Sequence, residues 1–147
     1  MPSKITTLPP AVADNDELPR ALLPREWPRP SGYSNGMTAK GRIVVTGGVV
    51  GWDVTGKFPP DFGGQARQLF FNILLILAEG GAGPEHVVRL TWYVVDLDEY
   101  RANLKELGRA YREAFGANYP AMAVMQVAGL VEPAAKIEIE ATAVVPE

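Results

Sequence analysis

The chain has 147 residues, a formal net charge of -3 and 47% hydrophobic residues, a composition typical of one globular domain. It has no cysteine and a single histidine, which excludes a disulfide framework, a thiol nucleophile and a multi-histidine metal site within one chain. The acidic balance provides no basic patch for nucleic acid or for a membrane surface. There is no signal-peptide pattern and no apolar run near the roughly 20 residues that span a bilayer, so we predict a cytoplasmic protein.

The first thirty residues form a proline-rich segment that holds seven of the thirteen prolines. Proline has no amide N–H and favours extended backbone in the residue before it. We therefore predict an extended N-terminal arm over residues 1–30, followed by a single domain over residues 31–147. Leu22, Leu23 and Trp27 indicate that part of the arm lies on a protein surface.

Beyond the arm, β-branched runs alternate with helical patterns. Asp61 is the predicted N-cap of the first helix, and Gly80 ends it. The glycine pair Gly63-Gly64 is predicted as a turn. This order predicts an α/β fold with a mixed, mainly antiparallel sheet and two helices on one face. The predicted elements are strands at 42–46 and within 49–58, a helix at 65–79, a strand at 86–95, a helix from 97 to about 115, and strands at 121–127 and 136–145.

One predicted strand and one predicted helix carry more apolar surface than a single domain core can bury. The strand at 86–95 is apolar on both faces, which predicts that its second face meets another subunit. The helix at 65–79 carries two apolar stripes, and we expect the arm or a neighbouring subunit to cover the outer one. The core stripe is Leu69, Phe70, Ile73, Ile76 and Leu77, and the outer stripe is Phe71, Leu74, Leu75 and Ala78.

From about residue 31 to residue 145 the chain carries an ordered set of motifs, namely Gly32-Tyr33-Ser34, Val45-Thr46-Gly47, Gln65 to Leu69 with Asn72, Val87 to Arg89 with Thr91 and Asp96, Asn103, Tyr119-Pro120-Ala121 and Lys136 to Ala141. With these motifs in this order, the chain resembles the RidA/YjgF family, also called the L-PSP family, of small trimeric enamine/imine deaminases. The resemblance implies a chorismate-mutase-like (bacillus-type) single domain, a homotrimer, and sites for a small metabolite in the clefts between subunits, without a cofactor or a metal.

The resemblance also implies site residues. The family has a Pro-Ala-Arg motif whose arginine binds a substrate carboxylate in a bidentate manner, whereas this chain has Met122 at that position. Glu138 is implied as the catalytic carboxylate that holds a water molecule. The implied substrate-binding residues are Tyr33, Thr46, Gly47, Trp52 and Met122.

Structural roles compete with these assignments. Glu138 lies on the polar side of an alternating strand, where a carboxylate is usually only solvated, and Met122 can be a gap-filling apolar residue. Tyr33 and Trp52 can simply pack. His86 is more typical of a surface residue than of a catalytic one. Arg89 can replace the missing arginine, although a structural ion pair is the simpler interpretation.

The leading functional hypothesis is hydrolysis of a C=N bond in a small enamine, imine or amino-diene. Because Met122 cannot bind a carboxylate, we expect 2-aminoacrylate-like substrates to be poor. The alternative is a non-catalytic trimer that binds an apolar or aromatic metabolite as a regulatory protein. Nuclease activity is disfavoured because the chain is acidic and has no cationic stripe.

Overall fold

The computed structural model describes residues 18–147, so most of the predicted arm lies outside the described residues. None of the helices in the described part is long and apolar enough to cross a membrane. The elements are β1 (Arg20–Leu22), β2 (Gly36–Thr38), β3 (Arg42–Val45), β4 (Val49–Val50), α1 (Phe62–Glu79), β5 (Val87–Val94), α2 (Leu97–Ala102), α3 (Leu104–Phe115), β6 (Ala121–Gln126) and β7 (Ile137–Val145).

The central sheet has the strand order β3-β7-β5-β6, and β4 pairs with β7 next to β3. All pairs are antiparallel except β5 with β6, which is parallel. The helices cover one face of this sheet, which we call the helix face; the other is the open face. The predicted mixed, mainly antiparallel sheet with helices on one face is confirmed, and it is a chorismate-mutase-like fold.

The core lies between the helices α1 and α3 and the helix face of the sheet. In β7 apolar residues alternate with more polar ones, and burial follows the same alternation. Ile137, Ile139 and Ala143 are completely buried, while Glu140 is exposed. Leu69, Phe70 and Ile73 of α1 pack against these strands and are completely buried.

The open face differs from the prediction at β5. The register with β7 shifts between Val87 and Arg89, and from Arg89 onward exposed or half-buried residues alternate regularly with buried ones. The open-face residues of β5 are therefore Arg89, Thr91 and Tyr93, and the prediction of an apolar second face on this strand is wrong. Strand β3 instead provides exposed apolar side chains there.

Those side chains are Ile43 and Val45, which are 68% and 60% exposed in one chain. They are on the open face because Val44, between them, packs against the core. The apolar surface that we expect a neighbouring subunit to cover is therefore on β3 and not on β5.

Helix α1 begins earlier than the sequence predicts. Asp61 is its N-cap, as expected, because its carboxylate accepts the Gly64 N–H at 2.9 Å. Gly63 and Gly64 consequently lie within the first turn of the helix, and the predicted turn at this pair is wrong. A Cβ at Gly63 would lie 2.3 Å from a carboxylate oxygen of Glu106, so this glycine allows α3 to approach α1.

The apolar stripes of α1 also differ in detail. Ile76, predicted in the core, is 44% exposed, whereas Leu74, predicted on the outer side, packs against the core. Phe71 and Leu75 are exposed as predicted, at 54% and 62%. The outer apolar surface of α1 within the described residues is therefore Phe71, Leu75 and Ile76.

The second predicted helix is in fact two helices, α2 and α3. Asn103 separates them with φ -111° and ψ 14°, and its side-chain amide donates to the Glu99 carbonyl at 2.8 Å. A side-chain bond of this kind competes with helical geometry.

The described part of the arm joins the fold through a strand pair that the sequence analysis did not predict. Strand β1 pairs antiparallel with β2, with Ala21 opposite Met37. Leu22, Leu23 and Trp27 remain between 40% and 58% exposed.

Candidate functional site

Met122 lies in the wall of a cavity of about 210 Å³ between β6 and α3, which we call the Met122 cavity. Its partner in the parallel register is Leu90, a fully buried core residue, so Met122 is on the helix face. The side chain is half-buried and packs against the core. The interpretation of Met122 as a packing residue and its interpretation as a ligand contact are both compatible with this position.

Aromatic side chains dominate the walls of the Met122 cavity, namely Trp92, Tyr100, Tyr111 and Tyr119. The indole Nε1 of Trp92 is buried and has no hydrogen-bond partner among residues 18–147. Buried donors are usually paired, and an unpaired one costs about 1–3 kcal/mol. One of the aromatic residues that line the cavity thus carries a buried donor that lacks an acceptor within residues 18–147.

Two of the tyrosines that line this cavity, Tyr100 and Tyr111, are held in the neutral form by burial. Burial raises the pKa of Tyr100 and of Tyr111 above the ordinary tyrosine value, and the Tyr111 hydroxyl donates to the Asn118 carbonyl. The only charged side chain among the described residues that line the cavity is Arg112, which is exposed on α3.

Tyr33 borders a second, larger cavity of about 440 Å³, between the arm and the start of β6. The neighbouring Ser34 ties this segment to β6: its N–H donates to the Pro120 carbonyl at 3.0 Å, and its hydroxyl donates to the Tyr119 carbonyl. Tyr119 lines both cavities. Tyr33 and Met122 therefore lie at the same edge of the sheet, the β6 edge.

Glu138 lies on the open face of β7, opposite Tyr93 of β5 and Val50 of β4. Its carboxylate occupies the space beside Gly48, where an added Cβ would be 2.6 Å from Oε2. The absence of a side chain at Gly48 thus makes room for this carboxylate next to the turn between β3 and β4.

Thr46 holds that turn in place. Its hydroxyl donates to the Gly47 carbonyl at 2.8 Å and accepts the Ala141 N–H at 3.0 Å, and the residue is buried. Gly47 itself is exposed, with open space around its Cα. Glu138, Thr46 and Gly47 therefore form a group at the β3/β4 side of the sheet.

The remaining candidates lie elsewhere. The Trp52 ring packs against Phe58 with centroids 5.9 Å apart and is 41% exposed. His86 accepts the Gly83 N–H through Nδ1 at 2.9 Å, a local structural contact. Arg89 pairs with Thr142 on the open face, so it does not line the Met122 cavity.

The sheet separates the two groups within one chain. Met122 is on the helix face at the β6 edge, whereas Glu138 is on the open face, and β5 lies between their strands. Side chains on opposite faces of one sheet cannot meet across it. A site that contains both Met122 and Glu138 must take them from two different chains.

Among the residues of the Met122 cavity that sequence reasoning did not identify as site residues are Trp92, Gly108 and Arg112. Trp92 was visible only as part of a strong strand, because nothing local indicates that its N–H lacks an acceptor. Gly108 and Arg112 are four residues apart in α3 and so lie on the same side of the helix. The sequence shows this spacing, but it does not show that the two residues face a cavity. Among residues 18–147 no group of three or more His, Asp or Glu residues is placed to hold a metal ion.

Residues 27–145 match the family model described as endoribonuclease L-PSP. The chain is 34% identical over 105 residues to a RutC family protein of Haemophilus influenzae, and the aligned region covers 71% of this chain and 80% of that protein. It is 32% identical over 112 residues to the 2-iminobutanoate/2-iminopropanoate deaminase of Escherichia coli K12, with 76% of this chain and 86% of that protein covered.

The fold is also similar to a solved structure. A protein of the conserved Rid family from Yersinia pestis superposes with a TM-score of 0.76 and 32% sequence identity, covering 86% of this chain and 98% of that chain. At this level of identity the similarity extends beyond the fold to the family.

Proposed function

This chain belongs to the RidA/YjgF (L-PSP) family, and from that premise we propose that it hydrolyses the C=N bond of a small imine or enamine metabolite. We further propose that it acts in the cytoplasm as a homotrimer, with the reaction in the clefts between subunits. Support for the chemistry comes from relatives named as imine deaminases.

The observation that carries the proposal is the division of the candidate residues into two groups. One chain presents the Met122 cavity and Tyr33 at the β6 edge, and presents Glu138 with the turn at Thr46 and Gly47 on the open face toward β3 and β4. Complementary groups at different places on one chain favour head-to-tail association, which closes into a ring when the rotation allows it. A trimeric ring would complete each cleft with groups from two neighbours.

In this mechanism Glu138 orients and deprotonates a water molecule, which attacks the imine carbon. The water oxygen forms a bond to that carbon, the C=N bond becomes a single bond, and the nitrogen takes up the proton that Glu138 removed from the water. The carbinolamine then collapses to a carbonyl compound and ammonia. Thr46 acts as a positioning residue, because its hydroxyl is already used to hold the turn beside Glu138.

Substrate preference follows from position 122. A thioether cannot make the two charge-assisted hydrogen bonds that a guanidinium makes to a carboxylate. We therefore expect 2-iminopropanoate, whose carboxylate is next to the reacting carbon, to be a poor substrate for this protein.

The proposal is tested by measuring ammonia release from a panel of imines that are generated in situ. Glu138→Gln should lower kcat at least a hundredfold, in the range typical of a lost general base. Glu140→Gln is the matched control on the same strand, and it should retain activity because an amide oxygen still accepts the 2.7 Å bond from the Tyr93 hydroxyl.

Gly48→Ala is a second variant, and it shifts the Glu138 carboxylate without removing it. The new Cβ would displace the end of the Glu138 side chain, so kcat should fall while the melting temperature stays nearly unchanged. Equal rates for the native protein and Glu138→Gln would contradict the mechanism. Binding of imine analogues without any hydrolysis would favour the alternative of a non-catalytic metabolite-binding protein.

A further inference from the structure

Arg112 is a cation at the Met122 cavity that the family resemblance does not account for. It lies on α3, one helical turn after Gly108, and both residues line the cavity. Its Nη1 is 3.4 Å from the position that a Cβ of Gly108 would occupy, so the side chain extends back along the helix over that glycine.

The guanidinium of Arg112 has no competing partner in the described part of the chain. None of the ion pairs found among residues 18–147 includes it, although Arg67, Arg101 and Lys136 are all paired. Because Arg112 is the only charged residue within 18–147 that lines the cavity, an anion that enters it meets one cation and no carboxylate from this part of the chain. This arrangement favours an anionic group at the α3 side of the cavity.

The rest of the cavity selects for a planar apolar group. Its walls include Trp92, Tyr100 and Tyr119, and a cavity of roughly 150 Å³ is already large enough for benzene. The volume of about 210 Å³ therefore accommodates a ring or a conjugated chain with a short substituent. Met122 completes this apolar surface with a polarizable thioether.

We propose that Arg112 is the carboxylate-binding residue of this protein, supplied from a helix instead of from β6, and that the substrate is a carboxylate carried on a planar apolar group. The inference rests on the proposed function only for the C=N group that reacts. The role of Arg112 in binding a carboxylate does not depend on that function. It differs from the alternative based on Arg89, which is on the open face of the sheet. It also predicts a longer distance between the carboxylate and the reacting carbon than in 2-iminopropanoate.

A structural role for Arg112 makes a different prediction. A cation in the last turn of a helix stabilises that helix through its dipole. Removal of such a cation lowers the melting temperature slightly and does not change ligand binding. Arg109 is exposed on the same helix and does not line the cavity, so it provides a matched control.

The experiment measures binding by calorimetry to the full-length protein, with 3-phenylpropanoate, 3-phenylpropanol and propanoate as probes. We expect 3-phenylpropanoate to bind at least about tenfold more tightly than either of the other two, because only it combines the ring with the charge. Arg112→Gln should remove this preference, Arg112→Lys should restore part of it, and Arg109→Gln should leave it unchanged.

The outcomes separate this inference from the proposed function. Equal binding of the acid and the alcohol, or equal effects of Arg112→Gln and Arg109→Gln, would overturn the role of Arg112 even if the protein hydrolyses imines. Arg112-dependent binding in a protein that hydrolyses no imine would leave the role standing and contradict the proposed function. If hydrolysis is found, Arg112→Gln should raise KM for carboxylate substrates much more than it lowers kcat.

Discussion

At the scale of single residues, the proposed ligand site depends on the side chain at position 122 and on Arg112. The methionine is half-buried against the core, and it shares its cavity with Arg112. The sequence was sufficient to find Met122, because the surrounding Tyr119-Pro120-Ala121 motif marks the position. It was not sufficient to find Arg112, since a charge on an amphipathic helix is ordinary until the cavity beside it is known.

We expect Met122→Arg to raise kcat/KM for 2-iminopropanoate by roughly ten- to a hundredfold, because charge-assisted hydrogen bonds to a carboxylate contribute about 1.5–3 kcal/mol. The measurement is ammonia release at subsaturating substrate. Met122→Leu, which keeps the shape and adds no charge, should match the native protein. A native protein already as active on this substrate as an arginine-bearing relative would refute the role that we give to this position.

At the scale of elements, the sequence predicted what depends on regular periodicity and missed local departures from it and very short strands. The alternation in β7 predicted its burial because every second residue meets the core. The register shift in β5 and the break at Asn103 are local departures from periodicity, and one side-chain hydrogen bond or one extra residue is enough to cause them. The pairing of β1 with β2 was missed because both strands have only three residues.

The arm provides a prediction about these elements. Deleting residues 1–28 removes β1, whose Leu22 lies opposite Gly36 of β2. The Leu22 side chain packs over this glycine, because its Cδ1 would be 3.4 Å from a Cβ added at Gly36. We expect this deletion to lower the melting temperature by a few degrees and to increase binding of a hydrophobic dye.

Deleting residues 1–17 alone is the matched comparison, because it leaves the strand pair intact. If the dye signal rises with the shorter deletion, residues 1–17 cover apolar surface such as Phe71 and Leu75 of α1. An unchanged melting temperature and dye signal after the longer deletion would show that the arm contributes nothing to the fold.

At the scale of the whole molecule, the exposed Ile43 and Val45 and the divided candidate site both favour association. The sequence predicted an oligomer from β5, but the structure moves the apolar open-face surface to β3. The division of the site could not be predicted from the sequence, because the face on which Met122 lies depends on its register with β5.

We expect light scattering to give a mass about three times the 15.9 kDa of one chain. A mixture of Glu138→Gln chains and Gly108→Leu chains, in which leucine fills the Met122 cavity, should regain partial activity after subunit exchange. Leucine in a helix interior costs less than glycine, so the second variant should fold. A clean monomer mass, or no recovery on mixing, would contradict the inter-subunit site.

The separation of Met122 and Glu138 by the sheet has a genetic consequence. In the proposed ring each subunit borders two clefts and contributes a different half to each. A chain with both halves altered would therefore silence both clefts that it borders, including the intact halves of its normal neighbours. Such an allele would act as a dominant inhibitor when it is expressed together with the native one, whereas an allele that only prevented folding would be recessive.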